Sequence, residues 1–461
     1  MKHVFILFLF YSSISFAELD YSKVLLATGQ KNIHTDILII QHDGKNIFEI
    51  YQNEYDKTKV HLSWSMAKTI SGFLIAIASN EYHFSLDEKV KKYIPDFKGD
   101  ARIIDVLQMS SGIDFSEEYS GLPVNADVVR MLYLDGLDLG SAGYVTTLPL
   151  RNNNQPGDHF YYSSGDTNLL MELLKKIINN DEVYLNYPWI RLFNPLGITT
   201  ATIELDSKNI FIGSSYMYMT ADDYLKIGQL ILNHGKMNQQ QIVPSTYMDL
   251  ITQVAPGVQK KAIAGASPFR AYSVMATTNQ PITEKKLNSE FEYIPADSIL
   301  LLGHQGQILL ASEKEKLIVL RLAMDKGSAL VKKEFYKNIY DFLVSKNEKI
   351  EIAKNIKTFS VENQNNIKPD EVPNKLKFTD LLTIPKLIKN YTAKEYCSCR
   401  FVVGRSTEAC HADVARSMPV MPRITEGVDF IETNFFFDES SKAIFKGSKF
   451  GCALLSHAAL N

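Results

Sequence analysis

The chain has 461 residues, of which 45% are hydrophobic and 22% are charged. These values are typical of a globular protein and exclude a chain that is disordered throughout. The net charge is 49 − 52 = −3, so no overall basic field is present to hold nucleic acid. No period of ~20–50 residues recurs, which argues against a solenoid or a propeller.

The first 17 residues have the pattern of a secretory signal peptide. Lys2 and His3 precede the apolar run from Val4 to Phe10, and Ser15-Phe-Ala17 resembles a signal peptidase cleavage site. The alternative is a short membrane anchor, but a helix needs about 20 apolar residues to span a bilayer and this run is shorter. We therefore expect cleavage after Ala17 and a mature protein that is periplasmic or secreted.

Residues 18–346 read as one main domain. Residues 36–41 and 46–51 are β-rich and flank Asp43-Gly44, which predicts a β-hairpin. A helix is predicted from Ser65 to Ile77, and because it is apolar nearly all round it should be buried. The middle of the domain mixes helical patterns with loops that contain glycine and proline.

The main domain ends in three strand-like runs and a helix. The runs cover residues 298–302, 307–311 and 317–323, and a charged turn joins the last two, which indicates an antiparallel pair. Apolar residues then recur at helical spacing over residues 330–344. Strands therefore open and close this domain, with helices between and around them, and the predicted class is α+β.

A change in composition marks a second unit. Residues 347–379 are rich in Lys, Asn and Glu and contain Pro369 and Pro373, which is typical of a linker. Residues 380–461 then form a small module, with a hairpin predicted between residues 429–437 and 443–445. A core of this size is marginal, so we expect disulfides to stabilise the module.

The cysteines support this view, because all four lie in the module. An exported chain can keep disulfides. A bridge between Cys397 and Cys399 would be strained, which leaves Cys397–Cys410 with Cys399–Cys452, or Cys397–Cys452 with Cys399–Cys410. The competing interpretation is a zinc site that includes His411, but the paired C-x₂-C spacing is missing. We therefore predict two disulfides.

The chemistry is first indicated by Ser65-Met-Ala-Lys68, which has the form S-x-x-K. Residues three apart on a helix share a face, so the lysine amine can reach the serine hydroxyl. A serine becomes a strong nucleophile only when a base takes its proton, and the N-terminal end of a helix disfavours a charged ammonium group. The arrangement suits a neutral Lys68 as that base. The alternative is an ordinary helix start, with Ser63 or Ser65 as N-cap.

Further short sequence motifs accompany S-x-x-K and indicate which family the chain resembles. They occur in one order along residues 30–345: Ser65–Lys68, Asp105-Val-Leu-Gln-Met-Ser-Ser-Gly112, Pro156-Gly to Tyr162-Ser-Ser164, Pro195-Leu-Gly197, Thr220-Ala-Asp-Asp223 with Ile227-Gly228, and Gly303-His-Gln-Gly-Gln307. In these motifs and their order, the chain resembles the serine β-lactamase-like family, in the branch of class C β-lactamases, DD-peptidases, esterases and 6-aminohexanoate-oligomer hydrolases. The resemblance implies a β-lactamase/transpeptidase-like antiparallel sheet flanked by helices.

The resemblance also implies roles for individual residues. Ser65 corresponds to the acylated nucleophile, Lys68 to its partner and Tyr162 to a second proton-transfer group. The oxyanion hole would consist of the backbone N–H groups of Ser65 and Gln307. Neither a metal nor a cofactor is needed.

The substrate-binding positions depart from the family pattern. Ser164 stands where the tyrosine element usually ends in Asn, and His304 with Gly306 belongs to the triplet that is K-T-G in β-lactamases. Tyr119 is a further candidate for the cleft, and Asp166 is either another or a cap of the following helix. Histidine is largely uncharged at neutral pH, so we expect poor turnover of carboxylate-bearing β-lactams.

The sequence therefore predicts an exported serine hydrolase that acts on a small amide, ester or peptide-like substrate through an acyl-enzyme on Ser65. No G-x-S-x-G or H-E-x-x-H pattern supports an α/β-hydrolase or a zincin. One alternative is a catalytically silent binding protein that keeps the fold. Another is an envelope-binding protein in which the C-terminal module contacts the cell envelope and supplies the main activity.

Overall fold

The computed structural model describes residues 21–117, 124–151, 155–260, 271–327, 329–356, 359, 382–418, 420–435 and 439–456. The predicted signal peptide, Tyr119 and most of the predicted linker lie outside these residues. No helix within the described ranges is long and apolar enough to cross a membrane.

A six-stranded antiparallel sheet forms the centre of the described main domain. In spatial order its strands are β2 (Lys45–Tyr51), β1 (Thr35–His42), β11 (Leu317–Ala323), β10 (Gln307–Ser312), β9 (Ile299–Gly303) and β8 (Thr277–Thr278). The N-terminal hairpin and the antiparallel pair near the end of the domain are confirmed, since β1 pairs with both β2 and β11. The first and last strands of the domain therefore meet at the middle of one sheet.

Smaller sheets surround the large one. A three-stranded sheet consists of β3 (His61–Leu62), β5 (Met217–Met219) and β4 (Thr202–Ile203), and its strand β3 ends just before Ser65 in the chain. A two-stranded sheet pairs β6 (Lys236–Met237) with β7 (Gln240–Gln241). The C-terminal segment adds a four-stranded sheet of β12 (Arg423–Glu426), β13 (Phe430–Asn434), β14 (Ser441–Phe445) and β15 (Cys452–Leu454).

Helices flank these sheets. In chain order they are α1 (Tyr21–Leu26), α2 (Ala67–Glu81), α3 (Ile103–Leu107), α4 (Asp127–Tyr133), α5 (Gly136–Leu139), α6 (Ser141–Thr147), α7 (Ser164–Ile178), α8 (Asp181–Pro188), α9 (Ala221–Leu232), α10 (Ser245–Ile251), α11 (Pro256–Lys260), α12 (Lys332–Ser345), α13 (Ile384–Cys397) and α14 (Thr407–Ser417). The predicted α+β class, with helices flanking an antiparallel sheet, is confirmed.

Both faces of the large sheet are covered, and every residue of its strand β1 is buried. Leu38 and Ile40 of β1 belong to the core under α12, whereas Ile37 and Ile39 belong to the core that includes α2. Successive side chains of a strand point to opposite faces, so each face takes every second residue. Helix α2 is buried from Ala67 to Ala78, as its all-round apolar pattern predicts.

The C-terminal segment contains both predicted disulfides. Cys397 is bonded to Cys452 and Cys399 to Cys410, which is the second of the two pairings that the sequence left open. With every cysteine bonded, no thiolate is left for the zinc site considered above.

The C-terminal segment also packs closely against the main domain. Cys397 and Cys452 belong to the same core as α2. The backbone N–H of Ile203 donates to the Lys449 carbonyl at 3.1 Å, and the Asn390 side chain donates to the Tyr133 carbonyl at 2.6 Å. The segment therefore shares a continuous interior with the hydrolase-like part.

Candidate active site

Ser65 lies in a short 3₁₀ turn, Trp64–Met66, that leads directly into α2. The turn begins at Trp64, whose φ of 45° lies in the left-handed region. A bulky residue adopts this conformation only where the surroundings impose it, and such positions are common at active sites. Ser63 occupies the N-cap position of this turn, but its hydroxyl donates to backbone carbonyl groups and makes no capping bond. Met66, and not Ser65, is the N-cap of α2.

Lys68 makes the contact with Ser65 that the S-x-x-K spacing predicts. Its Nζ donates to Ser65 Oγ at 2.9 Å and to the Ser214 carbonyl at 3.0 Å. The lysine side chain is only 1% exposed, whereas Ser65 is partly open to solvent. The amine is thus held against the hydroxyl by a carbonyl from a distant loop.

Tyr162 completes the predicted group. Lys68 Nζ lies 5.0 Å from the centre of the Tyr162 ring, and Ser65 and Tyr162 line the same cleft. The cleft walls also include Tyr272, Thr277 and Leu302, so one side belongs to the large sheet. The structure therefore brings together the three residues with predicted catalytic roles.

The turn that carries His304, Gly306 and Gln307 lies beside the nucleophile. It joins β9 to β10, and both strands contact the Trp64–Met66 turn. Trp64 Nε1 donates to Gln305 Oε1 at 2.8 Å, and the rings of His304 and Trp64 are perpendicular, with 5.4 Å between their centres. Burial lowers the pKa of His304 to about 4, so its imidazole is neutral at pH 7.

A buried ion pair supports this turn from behind, and the sequence reading did not identify it. Arg321 and Asp325 are at most 1% exposed, and they form two hydrogen bonds of 2.8 and 2.9 Å. Arg321 Nη1 also donates to the Gly306 carbonyl at 2.8 Å, and the Asp325 backbone N–H donates to the Gln305 carbonyl at 3.0 Å. A Cβ atom at residue 306 would lie 2.2 Å from Arg321 Nη1, so only glycine fits there.

Ser164 is buried and already has a partner. Its hydroxyl donates to Glu117 Oε1 at 2.6 Å and its backbone N–H donates to Glu117 Oε2 at 2.8 Å. A substrate contact at Ser164 would therefore compete with this carboxylate. No sequence pattern indicated a role for Glu117, which lies five residues after the Asp105–Gly112 motif.

Asp166 lies in the first turn of α7 and is not its cap, so the cap interpretation is wrong. Ser163 is the N-cap, and its Oγ accepts from the Asp166 backbone N–H at 3.0 Å. The Asp166 carboxyl is buried and accepts from the Ser111 hydroxyl at 2.8 Å. Burial raises the pKa of Asp166 to about 7.

A scan against protein-family models matches the Beta-lactamase model over residues 23–309, which is more than half of the chain. The chain belongs to the Beta-lactamase family. This family match supports acyl-enzyme hydrolysis of amides or esters in general. The region includes Ser65, Lys68 and Tyr162 and ends inside β10, so the C-terminal segment lies beyond it.

Solved structures share the fold at low identity. EstCE1, described as a hydrolase with promiscuous acyltransferase activity, matches with a TM-score of 0.53 and 16% identity over 69% of this chain and 98% of its own. Simvastatin synthase (LovD) from Aspergillus terreus matches at 0.52 and 13% identity, over 70% and 97%. A putative beta-lactamase from Bacteroides dorei matches at 0.50 and 16%, over 68% and 93%. A search of curated protein sequences finds no significant match.

Proposed function

We propose that this protein is an exported serine hydrolase that cleaves an amide or ester through an acyl-enzyme on Ser65. The observation that carries the proposal is the 2.9 Å hydrogen bond between Lys68 Nζ and Ser65 Oγ, in the cleft that Tyr162 also lines. A serine beside a buried amine is the arrangement that activates a hydroxyl for acyl transfer.

In the proposed reaction, the proton of Ser65 passes to the pair formed by Lys68 and Tyr162. The freed oxygen attacks the substrate carbonyl, and the backbone N–H groups of Ser65 and Gln307 stabilise the oxyanion. The proton then passes to the leaving amine or alcohol as the carbonyl–leaving-group bond breaks. Water attacks the acyl-enzyme, gives one proton to the same pair and releases the acid, while Ser65 regains its hydrogen.

The proposed substrates are simple esters and amides in preference to β-lactams. A neutral His304 attracts a substrate carboxylate less than the lysine of the K-T-G triplet does, and in a partly buried cleft this difference exceeds its value in water. The Glu117 carboxylate is hydrogen-bonded to Ser164, two residues after Tyr162 in the chain, and adds a negative charge there. Both features oppose an anionic substrate.

The test is steady-state hydrolysis of a panel of p-nitrophenyl esters, short amides, D-amino-acid peptides and a chromogenic cephalosporin. Ser65→Ala should abolish turnover, whereas Lys68→Ala and Tyr162→Phe should each lower kcat by about 10²–10⁴, as general acid–base groups do. Ser79→Ala is the matched control, because Ser79 lies on the same helix and, among the described residues, its hydroxyl donates to the Ala76 carbonyl of its own helix. Normal turnover by Ser65→Ala would refute the mechanism.

Export is tested separately by N-terminal sequencing of the protein recovered from outside the cytoplasm. Cleavage after Ala17 predicts a mature chain that begins at Glu18. Recovery of the intact N-terminus from the cytoplasm alone would contradict the proposed location and leave the proposed chemistry unaffected.

A further inference from the structure

A second cavity lies where the C-terminal segment meets the main domain. It encloses about 50 Å³ and shares no lining residue with the Ser65 cleft. Its walls include Trp64 and Tyr218 from the main domain and Tyr391, Glu395 and Val403 from the C-terminal segment. One water needs ~10–15 Å³ of such space, so the cavity has room for a group of several non-hydrogen atoms.

Aromatic rings form much of the wall. Trp64, Tyr218 and Tyr391 come from three separate parts of the chain and line the same space. A fourth ring, Tyr55, already has the Arg405 guanidinium 5.0 Å from its centre. The faces of aromatic rings attract cations, and indole does so most strongly.

The cavity wall also carries the Glu395 carboxylate, which pairs with no basic side chain among the described residues. Glu395 Oε1 accepts hydrogen bonds from the Tyr133 hydroxyl at 2.8 Å and the Tyr216 hydroxyl at 2.7 Å. No salt bridge joins Glu395 to a basic side chain in the described part of the chain, whereas the other carboxylate at the wall, Asp413, pairs with Arg405. A partly buried negative charge of this kind favours a cationic ligand.

The oxygen of the Tyr218 hydroxyl offers an acceptor to the cavity. Tyr218 is 1% exposed, and its side chain lies beside that of Ser398. The Ser398 hydroxyl also lines the cavity and gives its hydrogen to Glu204 Oε1 at 2.8 Å, so Tyr218 can only donate toward Ser398. The Tyr218 oxygen is therefore left to accept from a ligand N–H.

We propose that this cavity is a binding site for a small organic ammonium ion, such as methylammonium or the terminal amine of a larger molecule. Glu395 balances the charge, Tyr218 accepts one N–H, and the rings of Trp64 and Tyr391 enclose the cation. The site is distinct from the catalytic cleft but adjoins it, because Trp64 directly precedes Ser65 and donates to Gln305.

The position of Trp64 gives a direct assay. The chain has two tryptophans, Trp64 and Trp189, so Trp189→Phe leaves one indole, in the cavity wall. This protein is titrated with methylammonium chloride, and sodium chloride at equal ionic strength serves as the reference. We expect a saturable change in Trp64 emission with methylammonium only. An equal change with sodium chloride, or no saturable change, would overturn the proposal.

Variants in the same background locate the ligand. Glu395→Gln keeps an oxygen for Tyr133 and Tyr216 but removes the charge, and it should raise the Kd for methylammonium at least tenfold. Glu408→Gln is the matched control, because Glu408 is an exposed carboxylate of the same segment, and its Kd should not change. An unchanged Kd in Glu395→Gln would overturn the proposal.

Tyr218→Phe provides a second variant if Glu395→Gln does not fold. It keeps the ring and removes only the hydroxyl group, so the fold should persist, with a loss of stability no larger than that of one hydrogen bond. Its Kd for methylammonium should rise about fivefold. A Kd equal to that of the Trp189→Phe parent would show that the ligand does not contact Tyr218, and the proposed site would be wrong.

Discussion

Replacing Lys394 with methionine tests whether the C-terminal segment and the main domain are one folded unit. Lys394 is 2% exposed and its ammonium group is paired with Glu204, which is fully buried in the main domain. Glu204 Oε1 also accepts from Ser398 Oγ and from the Cys452 backbone N–H, each at 2.8 Å. Lys394→Met therefore leaves a buried carboxylate that has lost its only cation among the described residues.

The expected loss follows from the cost of breaking a buried ion pair. Removing one partner destabilises a protein by about 3–5 kcal/mol, whereas replacing both partners is often neutral. We therefore expect Lys394→Met to lower the free energy of unfolding by this amount. The double variant Glu204→Gln with Lys394→Met should recover most of the loss, because glutamine still accepts from Ser398 and Cys452.

The assay is urea unfolding of the oxidised protein, followed by tryptophan fluorescence and far-UV circular dichroism. Trp64 and Trp189 both lie in the main domain. A shift in the urea midpoint of their fluorescence transition therefore shows that a substitution in the C-terminal segment destabilises the main domain. Lys446→Met is the matched control, since Lys446 is an exposed lysine of the same segment. A loss below about 1 kcal/mol, against the 3–5 kcal/mol expected, or a fluorescence transition that does not move, would refute the shared fold.

Three further predictions concern the active-site region. Burial raises the pKa of Asp166 to about 7 from an ordinary value of 3.8, so the free energy of unfolding should fall as pH rises from 4 to 7. The fall should reach about 4 kcal/mol in the parent and be absent in Asp166→Asn. Urea unfolding that depends on pH in the same way in both proteins would contradict this prediction. His304→Lys should raise kcat/KM for a chromogenic cephalosporin relative to a short p-nitrophenyl ester, and no gain would remove the proposed charge effect. A Cβ atom at Gly303 would lie 2.5 Å from the Ser63 carbonyl, so Gly303→Ala should displace the nucleophile and lower ester kcat/KM about 10²-fold, whereas unchanged kinetics would show that the strand shifts freely.

The elements that the sequence predicted best are those with a local cause. The hairpin around Asp43-Gly44 forms because a two-residue turn joins two β-rich runs, and the structure has β1 and β2 there. The contact between Ser65 and Lys68 follows from their spacing of three residues at the start of a helix. The three strands after residue 298 were each predicted to within one residue.

The features that were missed depend on residues far apart in the chain. The carbonyl that holds Lys68 belongs to Ser214, 146 residues away, and no pattern near Ser214 indicates that role. The pairing of Glu204 with Lys394 spans 190 residues. An amphipathic pattern shows that α13 has an apolar face but does not show which part of the protein covers it. For this reason the sequence predicted a small module with two disulfides, which the structure has, but not the contacts by which the module packs against the main domain.

The most direct test of the central claim is the mass of the protein after reaction with a fluorophosphonate probe. An activated serine should gain one probe adduct, and peptide mapping should place it on Ser65. Ser65→Ala should remain unlabelled, while Ser79→Ala should label like the parent. Absence of an adduct on the parent protein, or an adduct mapped to another residue, would contradict the assignment of Ser65 as the nucleophile.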